Sequence, residues 1–254
     1  MKFARAITKK PCSRFSEGIT TANLGKPDLQ LALLQHEDYI QALSLCGLEV
    51  IELEADENFP DSCFVEDVAV ITDEIAVITN PGALSRSGEI QSMIPVLEKF
   101  RKLEFIQSPG TLEGGDVMEA EKHFYIGLTA RTNEEGAHQL GAIFSRFGYS
   151  YSLIPVTTAL HLKSIINYVG NNHFLASKGF SSLPAFSKFH VIEVSDAELY
   201  AANCLHINDR WIVPKGFGGV KSKLLKLNYD IVELDMTEFE KMDGGLTCLS
   251  LRFS

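Results

Sequence analysis

One local pattern recurs five times along the chain, at intervals of roughly 40 to 55 residues, and such a period limits the fold to an array of similar units. Each unit opens with a short strand of alternating apolar and polar residues, at 49–53, 103–107, 151–155, 190–194 and 230–234. A polar stretch follows, then a hairpin of two apolar strands about a polar turn: 68–72 with 75–79, 117–119 with 124–126, 165–169 with 174–176, and 204–207 with 211–213. In three units an amphipathic helix leads to the next strand. The clearest takes Thr132 as N-cap with Glu135 three residues on, and buries Ala137, Leu140, Phe144 and Phe147. The others centre on Ile90, Ile94 and Leu97, and on Val220, Leu224 and Leu227; the third unit lacks the signal.

The fifth unit runs out of chain after 248–253. The N-terminal region supplies what it lacks, a strand at 3–8 and a helix at 28–47 with Leu29, Leu33, Ile40 and Leu43 on one face. The expected fold is therefore α/β: five ββαβ units in a ring around a central channel, closed by the N- and C-terminal segments and forming one domain over residues 1–254. Closure of this kind also removes unprotected strand edges.

With 254 residues, 45% of them hydrophobic, the chain has enough apolar side chains for a substantial core. A formal charge of −10, with no Lys/Arg-rich block, argues against nucleic acid and suits a cationic ligand. No apolar run approaches the ~18 residues of a membrane span, and the first dozen residues lack a signal-peptide core, so no membrane partner and a cytoplasmic location are expected. Five cysteines without paired spacing suggest neither a disulfide framework nor a metal knuckle.

In a five-unit ring, the residues just before each first hairpin strand share one mouth of the channel. Those places hold Glu66 and Asp67, then Glu113-Gly114-Gly115-Asp116, then His161, Asn203 and Cys248. A thiol, an imidazole and carboxylates in register are what a nucleophilic site requires. The thiol follows the glycine pair Gly244-Gly245, which permits positive φ and close approach to a ligand. Taken singly, each residue also has a plain structural use: His161 between two leucines as a core histidine, Asp116 as an acceptor for its glycine turn. Arg86 and Arg131 each precede a helix, where a cation opposes the dipole by ~0.3–1 kcal/mol. A substrate carboxylate would compensate both.

Several segments together, Phe59-Pro60-Asp61-Ser62-Cys63-Phe64-Val65-Glu66-Asp67, Thr111-Leu112-Glu113-Gly114-Gly115-Asp116, Gly127-Leu128-Thr129-Ala130-Arg131-Thr132-Asn133, Leu160-His161-Leu162-Lys163 and 243–248, resemble the dimethylarginine dimethylaminohydrolase family over essentially the whole chain. The resemblance implies a five-bladed α/β propeller of the guanidine-modifying superfamily that hydrolyses Nω-methylated arginines to citrulline and a methylamine without metal or cofactor. It makes Cys248 the nucleophile, His161 the general acid and base, and Glu113 the carboxylate of the triad. Asp67 would hold the guanidinium, with Phe64 and Glu66 beside the methyl groups. Arg86 and Arg131 would bind the substrate carboxylate. Asp61, with backbone carbonyls near Ile19 and Met242, would receive the α-amino group, and residues 18–26 resemble a loop that covers the site. A homodimer is implied by the resemblance alone. The alternatives are a deiminase acting on unmethylated arginine, which is usually longer, and a non-catalytic ribosome-binding propeller, which the negative charge disfavours.

Overall fold

The computed structural model describes residues 2–228 and 230–254. Along the chain run β1 (Arg5–Lys9), α1 (Leu29–Leu45), β2 (Glu49–Leu53), β3 (Ala69–Ile71), β4 (Ile75–Ile78), α2 (Ile90–Leu97) and β5 (Lys102–Phe105). They continue with β6 (Val117–Ala120), β7 (His123–Leu128), α3 (Glu134–Ser145), β8 (Ser150–Pro155), β9 (Ile166–Tyr168), β10 (His173–Ser177), α4 (Lys178–Ser181) and β11 (His190–Val194). The last are β12 (Leu205–Ile207), β13 (Arg210–Pro214), α5 (Gly218–Leu225), β14 (Asp230–Leu234), α6 (Thr237–Glu240) and β15 (Leu251–Phe253).

These strands form five three-stranded sheets: β3-β4-β5, β6-β7-β8, β9-β10-β11, β12-β13-β14 and β15-β1-β2. In every sheet the middle strand is antiparallel to the first and parallel to the third. A parallel neighbour needs a long crossover, which the intervening segment with its helix provides. The fifth sheet joins the two ends of the chain, with Arg5 opposite Phe253 and Ile7 opposite Leu251.

Middle strands are covered on both faces and outer ones on one, which explains the two kinds of apolar pattern. All four residues of β4 are buried, whereas β2, β5, β8, β11 and β14 mix exposed with half-buried positions. Each crossover helix then seals its own sheet. In the second unit Phe124 of β7 stacks on Phe144 of α3 at 4.3 Å, with Tyr149 against both rings.

A 3-10 turn precedes the first strand of every sheet: Val65–Val68, Gly114–Asp116, Leu162–Ser164, Asp196–Ala202 and Leu246–Leu249. Val65–Val68 lies against both Gly114–Asp116 and Leu246–Leu249, and Leu162–Ser164 lies against Gly114–Asp116 and Asp196–Ala202. Thr247 N–H donates to Asn203 Oδ1 at 2.9 Å and closes the circuit. The architecture is a five-bladed α/β propeller whose axis is lined by these turns. Among the described residues no helix is long and apolar enough to cross a membrane.

Three local expectations are corrected. The N-cap of α3 is Asn133, whose side chain accepts from Gly136 N–H, because the Thr132 hydroxyl is taken by Asp116 at 2.7 Å. Phe147 lies beyond the end of α3 and is 38% exposed. In α1 Leu43 is buried as expected, but Leu29, Leu33 and Ile40 are only half-buried, and the rest of the buried face is Ala32, Gln35, His36, Tyr39 and Ala42. Polar anchors set that rotation: Gln35 donates to Thr237 and accepts from Glu238 N–H, and the Tyr39 hydroxyl donates to Leu246 O at 2.8 Å.

Candidate active site

Two of the turns put consecutive residues on opposite sides of the ring, Glu66 against Asp67 and Thr247 against Cys248. On one side is a cleft of about 30 Å³ lined by Ile19, Asp61, Phe64, Asp67, Arg86, Arg131, Leu160, His161, Met242, Asp243, Gly244 and Cys248. Nine of the eleven site residues anticipated from the sequence are in that set. Glu113 lies directly behind it, fully buried.

Glu66 is the exception. Its side chain turns away from the cleft toward a cavity of about 510 Å³ on the far side of the ring. There Oε1 meets Lys163 Nζ at 2.6 Å and Arg252 Nη2 at 3.2 Å, while Oε2 accepts from the Thr247 hydroxyl at 2.7 Å. The expected place beside the substrate's methyl groups is therefore not where Glu66 points. Asp67, one residue on, faces the cleft instead.

At the centre of the cleft His161 Nε2 donates to Glu113 Oε2 at 2.8 Å, with Asp67 Oδ1 4.0 Å from the same nitrogen. Burial works against a charged imidazole, but Asp67, Glu113 and Asp116 outweigh it and lift His161 to about 9. Burial likewise pushes Asp67 up, and His161 and Arg86 overcome it to hold the carboxyl down to about 2. The imidazole is thus a cation at neutral pH, ready to give a proton. Asp67, Glu113 and His161 each offer one ligand atom within 4.8 Å of one another. A metal there would have to displace the proton that these carboxylates stabilise.

Asp116 sets the position of this pair from below. Its carboxylate accepts from Leu162 N–H at 2.9 Å and from the Thr129 and Thr132 hydroxyls at 2.8 and 2.7 Å, and the Thr132 oxygen in turn accepts from Glu113 N–H at 3.1 Å. Gly115 permits the packing: a Cβ there would stand 2.6 Å from His161 Nδ1, and its N–H donates to Asp67 Oδ1 at 2.9 Å.

The thiol is held differently. Gly245 N–H donates to Cys248 Sγ at 3.3 Å across the tight turn. Burial and the negative charges of Glu66 and Asp67 push the thiol up to about 12, so it is protonated at rest. Positive φ falls on Asp243 (58°), not on the glycine pair; Gly244 and Gly245 serve close approach, to the Phe64 ring and to Asn203.

The two arginines, for which a substrate carboxylate is the expected compensation, already face resident acids. Buried Arg86 donates from Nη1 to Asp67 Oδ2 (2.6 Å), from Nε and Nη2 to Glu89 (3.0 and 2.8 Å) and from Nη2 to Phe64 O (3.1 Å). Glu89 stands at the start of α2 three residues after Arg86, and its carboxylate bonds Arg86 rather than capping the helix. Arg131 Nη1 donates to Glu113 Oε1 at 3.3 Å, where Ala83 N–H also donates at 3.2 Å. Glu113 therefore has both oxygens engaged, and it backs His161 rather than presenting a free edge to a ligand.

The covering loop is also held by carboxylates. Ile19 N–H donates to Asp61 at 3.1 Å, and the Thr21 hydroxyl donates to Asp243 at 2.9 Å. Asp243 and Leu160, which lie in segments quoted above but carry no expected role, also line the cleft.

Similarity to known proteins is extensive. A family model described as N,N dimethylarginine dimethylhydrolase, eukaryotic, matches residues 21–250. The chain is 44% identical over 253 residues to the N(G),N(G)-dimethylarginine dimethylaminohydrolase of Pseudomonas aeruginosa, covering 99% of this chain and 100% of that one. The structure superposes with a TM-score of 0.98 on a Cys→Ser variant of the Pseudomonas aeruginosa enzyme complexed with citrulline, at 43% identity and 100% coverage of both chains. A dimethylarginine dimethylaminohydrolase His→Gly variant forming an adduct with S-methyl-L-thiocitrulline matches at TM-score 0.97 and 43% identity, over 99% of this chain and 100% of that one.

Proposed function

The chain belongs to the dimethylarginine dimethylaminohydrolase family, and from that premise we propose that it hydrolyses asymmetric dimethylarginine and monomethylarginine to L-citrulline and dimethylamine or methylamine. The observation that most supports this is the meeting, at one cleft, of the Cys248 thiol, the Asp67 carboxylate and an imidazolium backed at 2.8 Å by Glu113.

A protonated guanidinium resists attack because its charge is delocalised over the plane. Asp67 would hold that plane by charge-assisted hydrogen bonds. Arg86, which bonds Asp67, would exchange it for the substrate's carboxylate alongside Arg131. Asp61 would likewise give up Ile19 N–H for the substrate's ammonium, and the loop at 18–26 must open, since the resting cleft holds no more than a water or two.

The arriving cation lowers the cost of the Cys248 thiolate, so the thiol gives its proton to solvent as substrate binds and the nucleophile is activated. Thiolate attacks the central carbon and the delocalisation is lost. As the adduct collapses, the C–N bond breaks and His161 delivers its proton to the departing amine. Water then attacks the covalent thiouronium and His161, now neutral, takes the proton. The hydroxyl proton of that second adduct passes to sulfur as the C–S bond breaks, which releases citrulline and restores the thiol beside the imidazolium.

Dimethylamine and ammonia release, measured with asymmetric dimethylarginine and with arginine, tests the assignment. Dimethylamine is expected; ammonia from arginine with no dimethylamine from the methylated substrate would move the chain to the deiminases. Family membership also leads us to read one hydrolase domain over residues 1–254, a homodimer and cytoplasmic residence. Sedimentation velocity checks the dimer.

A further inference from the structure

Four of the five turns deliver a side chain to the cleft or to the buried Glu113–His161 pair at its back. The fourth, Asp196–Ala202, delivers Asn203, which is 6% exposed and does not line the cleft. Its amide is fully used. Oδ1 accepts from Thr247 N–H at 2.9 Å, and Nδ2 donates to the Thr247 hydroxyl at 3.0 Å and to Lys163 O at 3.1 Å. The same side chain presses on Gly245, where a Cβ would stand 2.5 Å from Asn203 Cγ.

Those contacts fall on the turn just before the nucleophile and just after the base. Gly245 gives its N–H to Cys248 Sγ, Thr247 precedes Cys248, and Lys163 is two residues past His161. We propose that Asn203 is a positioning residue for the reaction: it fixes the 245–248 turn so that Gly245 N–H stays aimed at the sulfur, and it ties that turn to the strand entry that carries His161. The inference rests on the reading of Cys248 as nucleophile. Only an amide of this length offers an acceptor to Thr247 N–H and two donors to Thr247 Oγ1 and Lys163 O. Aspartate keeps the acceptor and the shape but has nothing to donate to a carbonyl.

Steady-state kinetics with asymmetric dimethylarginine, on Asn203→Ala and Asn203→Asp, separates positioning from scaffolding. The expected result is a kcat lowered about 10- to 100-fold in Asn203→Ala, with KM within about threefold because the substrate-holding carboxylates and arginines are untouched. Alkylation of Cys248 by iodoacetamide, followed by peptide mass spectrometry, should slow in parallel. Asn203→Asp should fall between Asn203→Ala and wild type, and it carries the test if the alanine variant does not fold. Wild-type kcat with a lowered Tm would overturn the proposal, as would a KM that rises by the factor kcat falls. If instead Cys248→Ser turned over at the wild-type rate, the nucleophile reading itself would have failed, an outcome distinct from either.

Discussion

The two sides of the ring are made by the same turns yet are chemically opposite. On the wide side Glu66 has both oxygens bonded, to Lys163, Arg252 and Thr247, and the charges close on themselves in a cavity of about 510 Å³. On the narrow side, in about 30 Å³, Asp61, Asp67 and Glu113 are satisfied by groups that a substrate can replace or use: a loop N–H, Arg86 and an imidazolium. The lesson is that volume does not mark the reactive side. On the proposed function, exchangeable ionic partners around a thiol do.

The largest effect expected from this contrast is at Cys248. Cys248→Ser should lower kcat by ~10⁴ or more with an unchanged melting temperature, read from dimethylamine release. Next comes Glu113→Gln, which removes the charge behind His161 and should cost ~10² to 10⁴ in kcat. Arg131→Ala should raise KM about 10- to 100-fold with a smaller change in kcat; an unchanged KM would remove it from the carboxylate clamp.

On the wide side the same kind of change should act on stability instead. Lys163→Met leaves Glu66 with one cation fewer in a buried place and should cost ~3 kcal/mol in urea unfolding, with kcat of the folded enzyme within about tenfold. A collapse of kcat without loss of stability would erase the distinction between the two sides.

The smallest effect is a pH dependence of stability from the narrow side. His161 is lifted in the folded state from its ordinary value near 6.5 to about 9, so its contribution is fully present below pH 6.5 and is lost as pH rises through 9. Asp67 is held down to about 2, so its contribution is present above pH 4 and lost as pH falls through 2. Urea midpoints at pH 6 and pH 9.5 should fall more for wild type than for His161→Asn; equal losses would contradict the charged imidazole.

Much of this was legible in the sequence because strands buried on both faces must be apolar throughout and those buried on one must alternate. That contrast, five times over, located all five sheets, including the one shared by the two termini. The site register was legible for the same reason, since a residue just before a hairpin strand has a fixed place in a ring. Side-chain direction within a turn was not. Glu66 and Asp67 are adjacent carboxylates with no periodic signal to say which enters the cleft, and the Lys163 partner that draws Glu66 away is 97 residues distant. The N-cap of α3 was misplaced by one because Thr132 and Asn133 both suit the position, and the competing demand of buried Asp116 is a tertiary contact. Positive φ was expected in the glycine pair, but Asp243 takes it, as Asp tolerates the left-handed region in a turn.

The central claim, that the narrow cleft is where the guanidinium carbon is attacked by sulfur, is tested most directly by acid-quenching the enzyme during turnover of asymmetric dimethylarginine and locating the covalent adduct by peptide mass spectrometry. The account predicts a thiouronium on Cys248 and on none of Cys12, Cys46, Cys63 or Cys204, which are buried and unpaired. An adduct on any of those four, or full turnover by Cys248→Ser, would contradict it.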